Sequence, residues 1–315
     1  MLDRRQALGL TALGLMSPGL ALADEPMFGT LRLWPGTAPG GEHVTVTPEV
    51  VERSTDPAFH DRIAKHTRDP LLTVVRPVQP NGVSMLLVPG GGYRWAVVDK
   101  EGMDCARVFA AMGYTCYVLR YRLPADGWAA GPDAPLQDAQ RALRLVRAHA
   151  AGEGRAPDRT VVLGASAGGH LAGLLGARAD ATYPAIDAAD QHSHRPDALI
   201  LLYPVATLAD PYAHAGSRRE LLGETPAPDQ IAAYSLEQMD WTGAAPAILL
   251  HAMDDTAVPV ENALMLSATL RQAGVPIEVH LFEEGGHGFG IRLIEGRPAA
   301  VWPDLVRSWL GRRGL

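Results

Sequence analysis

The chain has 315 residues, with 28 Lys and Arg against 35 Asp and Glu, giving a formal net charge of −7. Hydrophobic residues make up 47% and charged residues 20%, which excludes a disordered chain, and this length buries enough core to need no disulfide or metal staple. The acidic balance, without a run of Lys or Arg, argues against nucleic acid or an anionic membrane as the main partner.

Residues 1–23 carry the pattern of an export signal. Arg4-Arg5 precedes an apolar stretch from Ala7 to Leu15, and Ala21-Leu22-Ala23 supplies small residues two apart, as a signal peptidase requires. The arginine pair suits the twin-arginine route, with a Sec signal as the other reading. Ser17-Pro18-Gly19 interrupts the apolar stretch, which is shorter than the ~20 residues of a membrane span. Cleavage is therefore expected, with no stable membrane insertion afterwards and a periplasmic or secreted product. Residues 24–315 are expected to form a single domain. Export would permit a bridge between Cys105 and Cys116, yet one lies in a helical pattern and the other in a strand pattern, so two buried free thiols fit as well.

From Asp24 to about Asn81 the chain is rich in Pro, Gly and Thr, with short strands expected near Val44–Thr47 and Leu71–Arg76. Val83–Val88 is an apolar run closed by Pro89-Gly90-Gly91-Gly92 and reads as a strand buried on both faces. Glu101–Met112 suits a helix ending at Gly113, and Tyr114–Tyr121 a strand. Leu136, Ala139, Leu143, Val146 and Ala150 then recur at helical spacing. Arg141, Arg144 and Arg147 lie on the other side, where a solvated face is a better reading than a phosphate stripe in an acidic protein. A strand at Thr160–Leu163 runs into a small-residue helix, Ala167–Ala177, and strands at Ala198–Tyr203, Ala247–His251 and Pro276–Phe282 follow. The polar stretch Asp210–Met239 is expected to cap the sheet edge. The alternation predicts an α/β fold: a mostly parallel sheet of about eight strands, helices on both faces, and a small cap. In such sheets the functional groups gather at the carboxyl ends of the strands.

Those ends hold a consistent set of groups. Gly164-Ala165-Ser166-Ala167-Gly168 fits G-x-S-x-G directly between a strand and a helix, which makes Ser166 a candidate nucleophile at a helix N-terminus. A serine needs a base, and the base an orienting acid. Met253-Asp254-Asp255 follows one later strand, and Gly285-Gly286-His287-Gly288 follows the next. The order Ser166, Asp255, His287 is that of α/β-hydrolases. Gly91 and Gly92, after the strand Val83–Val88, can aim backbone N–H groups at a substrate carbonyl together with Ala167, forming an oxyanion hole. No G-K-[ST] or G-x-G-x-x-G follows, so this loop is not a phosphate cradle. His170 is expected to pack beneath the serine and His251 to support the site. His192-Ser193-His194 near Asp187 and Asp190 reads as solvated surface rather than a metal site, and neither metal nor cofactor is expected. Tyr93, Trp95 and Trp128 follow strand ends, where they either stack on a sugar ring or pack under the cap.

With these residues in place the sequence resembles the α/β-hydrolase superfamily, and within it the bacterial acetylxylan esterase-like and acetyl-esterase group. The resemblance runs through PGGGY at 89–93, KEG at 100–102, YRL at 121–123, DAQRALRLVR at 138–147 and GASAGGHLA at 164–172. It continues through LYP at 202–204, GSRRELLG at 216–223, HAMDDTAVPVEN at 251–262 and GGHGFG at 285–290. It implies a cofactor-free serine esterase that deacetylates a carbohydrate, with xylan or its oligosaccharides as substrate. It also implies that the acid lies four residues before Pro259, at Asp255, leaving Asp254 a structural acceptor. Pro89 departs from the histidine that many lipases and esterases carry before their glycine loop. A prolyl-oligopeptidase-like peptidase shares the catalytic order but usually carries a large additional domain, for which this length leaves no room. A non-catalytic binding protein on the same scaffold typically loses a member of the triad, and here all three residue types are present.

Overall fold

The computed structural model describes residues 28–315; the predicted export signal lies outside them. The central sheet has eight strands. In chain order its members are β1 (Phe28–Arg32), β4 (Leu71–Val75), β5 (Ser84–Val88), β7 (Thr115–Arg120), β8 (Thr160–Ala165), β9 (Ala198–Leu202), β10 (Ala247–Ala252) and β11 (Ile277–Phe282). In space the order is β1-β4-β7-β5-β8-β9-β10-β11, with β1 and β4 antiparallel at one edge and the six strands from β7 to β11 parallel. This is the α/β-hydrolase fold. Strands β2 (Glu49–Glu52), β3 (Arg62–Lys65) and β6 (Ala96–Val97) make a small antiparallel sheet.

The middle strands are buried on both faces because neighbouring residues feed two different cores. Leu86, Val162, Leu199 and Leu201 point into one, beside Leu143 and Leu171. Met85, Val161, Leu163 and Ile200 point into the other, beside Phe109 and Trp302. The helices of the fold are α1 (Asp104–Ala111), α2 (Ala134–Gly152), α3 (Ala167–Ala177), α4 (Ala215–Leu222), α5 (Pro228–Tyr234), α6 (Glu261–Gln272) and α7 (Trp302–Gly311). The two short helices α4 and α5 fall within the predicted cap.

Several expectations change on contact with the fold, and one that was left open is decided. Val44–Thr47 forms no strand: Val44 is buried and Val46 half-buried while Thr45 and Thr47 face out, so the alternation records side-chain packing without ladder hydrogen bonds. The helix expected from Glu101 begins with a π-helical turn, Val98–Met103, and becomes regular only at Asp104. The two cysteines are buried free thiols, and burial pushes both well above the ordinary thiol range.

The arginine row is neither a solvated face nor a phosphate stripe. Arg141, Arg144 and Arg147 are all buried, because residues 178–197 fold back over the outer side of α2 and bring their own carboxylates. Arg141 reaches Asp187 at 2.5 Å and Asp190 at 3.0 Å, Arg144 reaches Asp190 at 3.4 Å, and Arg147 reaches Asp197 at 2.9 Å. The acids beside the His192-Ser193-His194 motif are thus spent on arginines. His194 itself is buried against Arg144, and no metal-holding cluster of His, Cys, Asp or Glu occurs among the described residues.

A second ion pair staples the N-terminal segment to the sheet. Arg122 and Asp138 are both fully buried and 2.9 Å apart, and Asp138 also accepts from the Trp34 indole and the Arg122 backbone N–H. Arg122 donates in turn to the carbonyls of Pro39 and Ala134. Removing one partner of such a pair leaves a buried charge uncompensated, so Asp138→Ala should lose about 3–5 kcal/mol of folding free energy. Urea denaturation of wild type and variant measures this, and a loss under about 1 kcal/mol would contradict it.

Candidate active site

Local backbone geometry presents Ser166. At the β8–α3 junction its φ is 54° and ψ −122°, a positive φ that a serine adopts only where the surroundings enforce it. They do so through close approach: a Cβ on Gly164 would lie 2.3 Å from the Gly168 carbonyl oxygen, and one on Gly168 would lie 2.1 Å from the Val88 oxygen. Only glycine fits at either position, so the turn stays tight and the hydroxyl stands clear of the sheet.

Ser166 Oγ lies 2.8 Å from His287 Nε2, and His287 Nδ1 lies 2.7 Å from Asp255 Oδ2. A carboxylate only accepts, so Nδ1 carries the hydrogen and Nε2 is left as the acceptor for the serine hydroxyl. Asp255 is buried, which would raise its carboxyl, but hydrogen bonds with His251 and His287 and from the Val258 N–H hold it well below the usual carboxylate range. His251 Nε2–H donates to the Val258 carbonyl at 2.9 Å and lies 3.3 Å from the same Asp255 oxygen that faces His287. Asp254 does different work: its Oδ1 accepts from the N–H groups of Gly285 and Gly286 and so anchors the loop that carries His287.

Gly91 and Gly92 line the same cavity as Ser166 and His287, at φ values of 126° and 65°. Among the described residues neither N–H has an intramolecular acceptor, and Ala167, as the first residue of α3, has none within its helix. The Gly90 N–H, by contrast, is spent on Glu101 Oε2 at 2.8 Å. Glu101 is buried behind the loop, and its other oxygen accepts from the Tyr203 hydroxyl, whose ring in turn packs edge-on against His287. One carboxylate therefore ties the glycine loop to the wall behind the imidazole. Sequence reasoning missed this residue, although KEG at 100–102 marked its position.

The aromatic candidates separate. Trp95 lines the cavity, with the Arg94 guanidinium 5.0 Å over its ring. Tyr93 and Trp128 do not reach it, and the expectation that they touch substrate is corrected. The Tyr93 ring is fully buried and its hydroxyl donates to His170 Nδ1 at 2.7 Å; Trp128 is buried against the Arg122 guanidinium. His170 donates through Nε2 to the Tyr234 carbonyl, and burial lowers it to about 4, so it stays neutral with both nitrogens satisfied. It packs beneath the serine, as expected, and links the glycine loop to the cap. His214, from that cap, also borders the cavity; its Nδ1 accepts from the Ser217 backbone N–H, and this was not anticipated.

Comparison with known proteins adds a lineage to this geometry. Residues 77–270 match the BD-FAE family. The chain belongs to that family of α/β-hydrolases. It is 33% identical over 207 residues to an endo-1,4-β-xylanase B of Butyrivibrio fibrisolvens and 29% identical over 218 residues to an acetylxylan esterase of Xylanibacter ruminicola. The matches cover 66% and 68% of this chain but 32% and 42% of those relatives, so the chain spans less than half the length of either. A solved acetyl ester-xyloside bifunctional hydrolase from Caldicellulosiruptor lactoaceticus is similar over 93% of this chain and 99% of its own, at 32% identity and a TM-score of 0.71.

The two neighbouring carboxylates give the sharpest test of the geometry. Asp255→Asn replaces the acceptor for the Nδ1 hydrogen and should lower kcat on p-nitrophenyl acetate by roughly 10⁴-fold with little change in KM. Asp254→Asn keeps an oxygen for the two glycine N–H groups and should retain most activity. The opposite ranking on folded protein would mean that the acid is Asp254.

Proposed function

We propose that this BD-FAE family member is an exported serine esterase that removes acetyl groups from xylan or its oligosaccharides. The observation that carries the reading is the unbroken hydrogen-bonded chain from Ser166 through His287 to Asp255, facing a cavity of about 330 Å³ rimmed by unpaired glycine N–H groups. The names of the relatives, which include an acetylxylan esterase and an acetyl ester-xyloside hydrolase, support the choice of ester.

In this mechanism Ser166 Oγ attacks the acetyl carbonyl while its proton passes to His287 Nε2. The N–H groups of Gly91, Gly92 and Ala167 hold the resulting oxyanion, each such donor being worth ~3–4 kcal/mol in comparable sites. Asp255 fixes the imidazole tautomer and stabilises the imidazolium. His287 then gives its proton to the departing sugar oxygen, leaving an acetyl group on Ser166. A water molecule, deprotonated by His287, attacks that ester, and acetate leaves as the proton returns to Ser166. The chain's own residues supply every proton transfer, so no cofactor is required.

Wild type should release acetate from acetylated xylo-oligosaccharides, and Ser166→Ala should lower kcat at least about 10⁴-fold. Equal turnover by both proteins would reduce the fold to a binding scaffold, and cleavage of prolyl peptides with no ester hydrolysis would make it a peptidase. Export rests on the Arg4-Arg5 pair, the apolar stretch and Ala21-Leu22-Ala23. N-terminal sequencing of periplasmic or extracellular protein should read from Asp24, and a start at Met1 would sink the export proposal.

A further inference from the structure

The mouth of the active-site cavity is positively charged in a protein whose net charge is −7. Arg53, Arg94, Lys100 and Arg219 line it, against Glu101 and Glu220. Most of these charges are already spent. Arg53 pairs with Asp61 at 2.8 Å, Arg219 with Glu220 at 3.1 Å, and Glu101 is buried accepting from Gly90 and Tyr203. Arg94 and Lys100 remain, with no carboxylate in ion-pair reach among the described residues; Arg94 is exposed on the rim and Lys100 half-buried in the wall. Elsewhere this protein buries its arginines against acids, as at Arg122 and Arg141. Two cations without an ion-pair partner therefore converge on the cavity of Ser166.

We propose that Arg94 and Lys100 bind the carboxylate of a uronic acid carried by the sugar that is being deacetylated, so that the preferred substrate is an acidic acetylated oligosaccharide. The inference rests on the esterase reading and deepens it. Both side chains are donors only, which suits a carboxylate better than a hydroxyl that must also find an acceptor. Their position selects the sugar side over the acyl side. His287 delivers its proton to the leaving sugar oxygen, so groups beside His287 face the leaving group. Lys100 Nζ lies 3.3 Å from where a Cβ on the next residue, Gly288, would sit. Arg94 stands over Trp95 and also borders a second cleft lined by Lys65, His66, Asp126 and Glu220. A cavity mouth with an excess of positive charge also draws an anionic substrate in by steering.

The test is equilibrium binding to the Ser166→Ala protein, which needs no turnover. Its probes are an acetylated xylo-oligosaccharide bearing one uronic acid branch and the same backbone without it. The acidic probe should bind about tenfold more tightly at low salt. That advantage should collapse when Arg94→Gln and Lys100→Gln are added, and also in 0.5 M NaCl with the charges intact. Equal affinity for the two probes, or an advantage that survives both substitutions, would overturn the proposal. So would a preference for p-nitrophenyl succinate over p-nitrophenyl acetate without any uronate preference, since it would put the carboxylate on the acyl side. Wild type that binds the acidic probe more tightly yet releases no acetate would defeat the esterase reading while leaving this subsite standing.

Discussion

Close approach between the β8–α3 turn and the end of β5 is the constraint on which the site depends. Gly168 lies so near the Val88 and Pro89 carbonyls, and Gly90 so near the Ser166 Cβ and Ala165 oxygen, that no side chain fits at either glycine. The serine turn and the glycine loop thus lock each other: the turn cannot relax its positive φ without colliding with the loop, and the loop cannot drift without entering the turn. A nucleophile and its oxyanion donors must be aligned to a fraction of an ångström before substrate arrives, because reorganisation during the reaction would cost the stabilisation they provide. For the nucleophile and donors proposed here, packing supplies that alignment. The strain at Ser166 is stored where two parallel strands and a helix surround it, the part of the fold best able to bear it.

Electrostatics extends the same logic to the imidazole. Asp255 is held ionised in a buried position by two histidines and by the N–H groups of Ala257 and Val258, so its charge is spread over fixed donors before it meets His287. Asp254 and Asp255 divide the labour. One carboxylate fixes the loop backbone at Gly285 and Gly286, and the other fixes the ring. Glu101 closes the circuit from the opposite side through Tyr203 and Gly90. In the proposed mechanism these groups act on substrate only through the residues they position.

The parallel strands were legible in the sequence because burial on both faces leaves unbroken apolar runs, as at Met85–Val88 and Ala198–Leu202. The site residues were legible because the chemistry demands particular residue types just beyond strand ends. What the sequence hid was anything decided by a segment arriving from far away. Arg141, Arg144 and Arg147 have the spacing of a solvated helix face, and only the return of residues 178–197 makes them a buried ion-pair layer. The acids of that layer were visible, but as companions of two histidines. For Tyr93 and Trp128 the sequence left sugar stacking and packing both open for a related reason: position after a strand end says that a ring is near the site, not which way it turns. Tyr93 has a φ of 61° and its ring is directed into the core toward His170. Glu101 was hidden most completely, since an acid in a helical pattern ordinarily faces water and this one is drawn inside by a backbone N–H and a tyrosine hydroxyl.

The distribution of charge separates structural from functional surfaces. At each buried arginine among the described residues, Arg122, Arg141, Arg144 and Arg147, an acid lies within ion-pair distance, because an uncompensated charge in the interior would cost several kcal/mol. The same economy should pair cations at the cavity mouth if their role were to hold the fold, and Arg53 and Arg219 follow it. Arg94 and Lys100 do not. They are solvated enough to remain unpaired at little cost, yet they border a concave wall where water is partly excluded and an arriving anion would feel them more strongly than on open surface. An unpaired cation on a convex surface carries no information. Two of them converging on the cavity of a hydrogen-bonded serine are the observation on which the proposed carboxylate subsite rests.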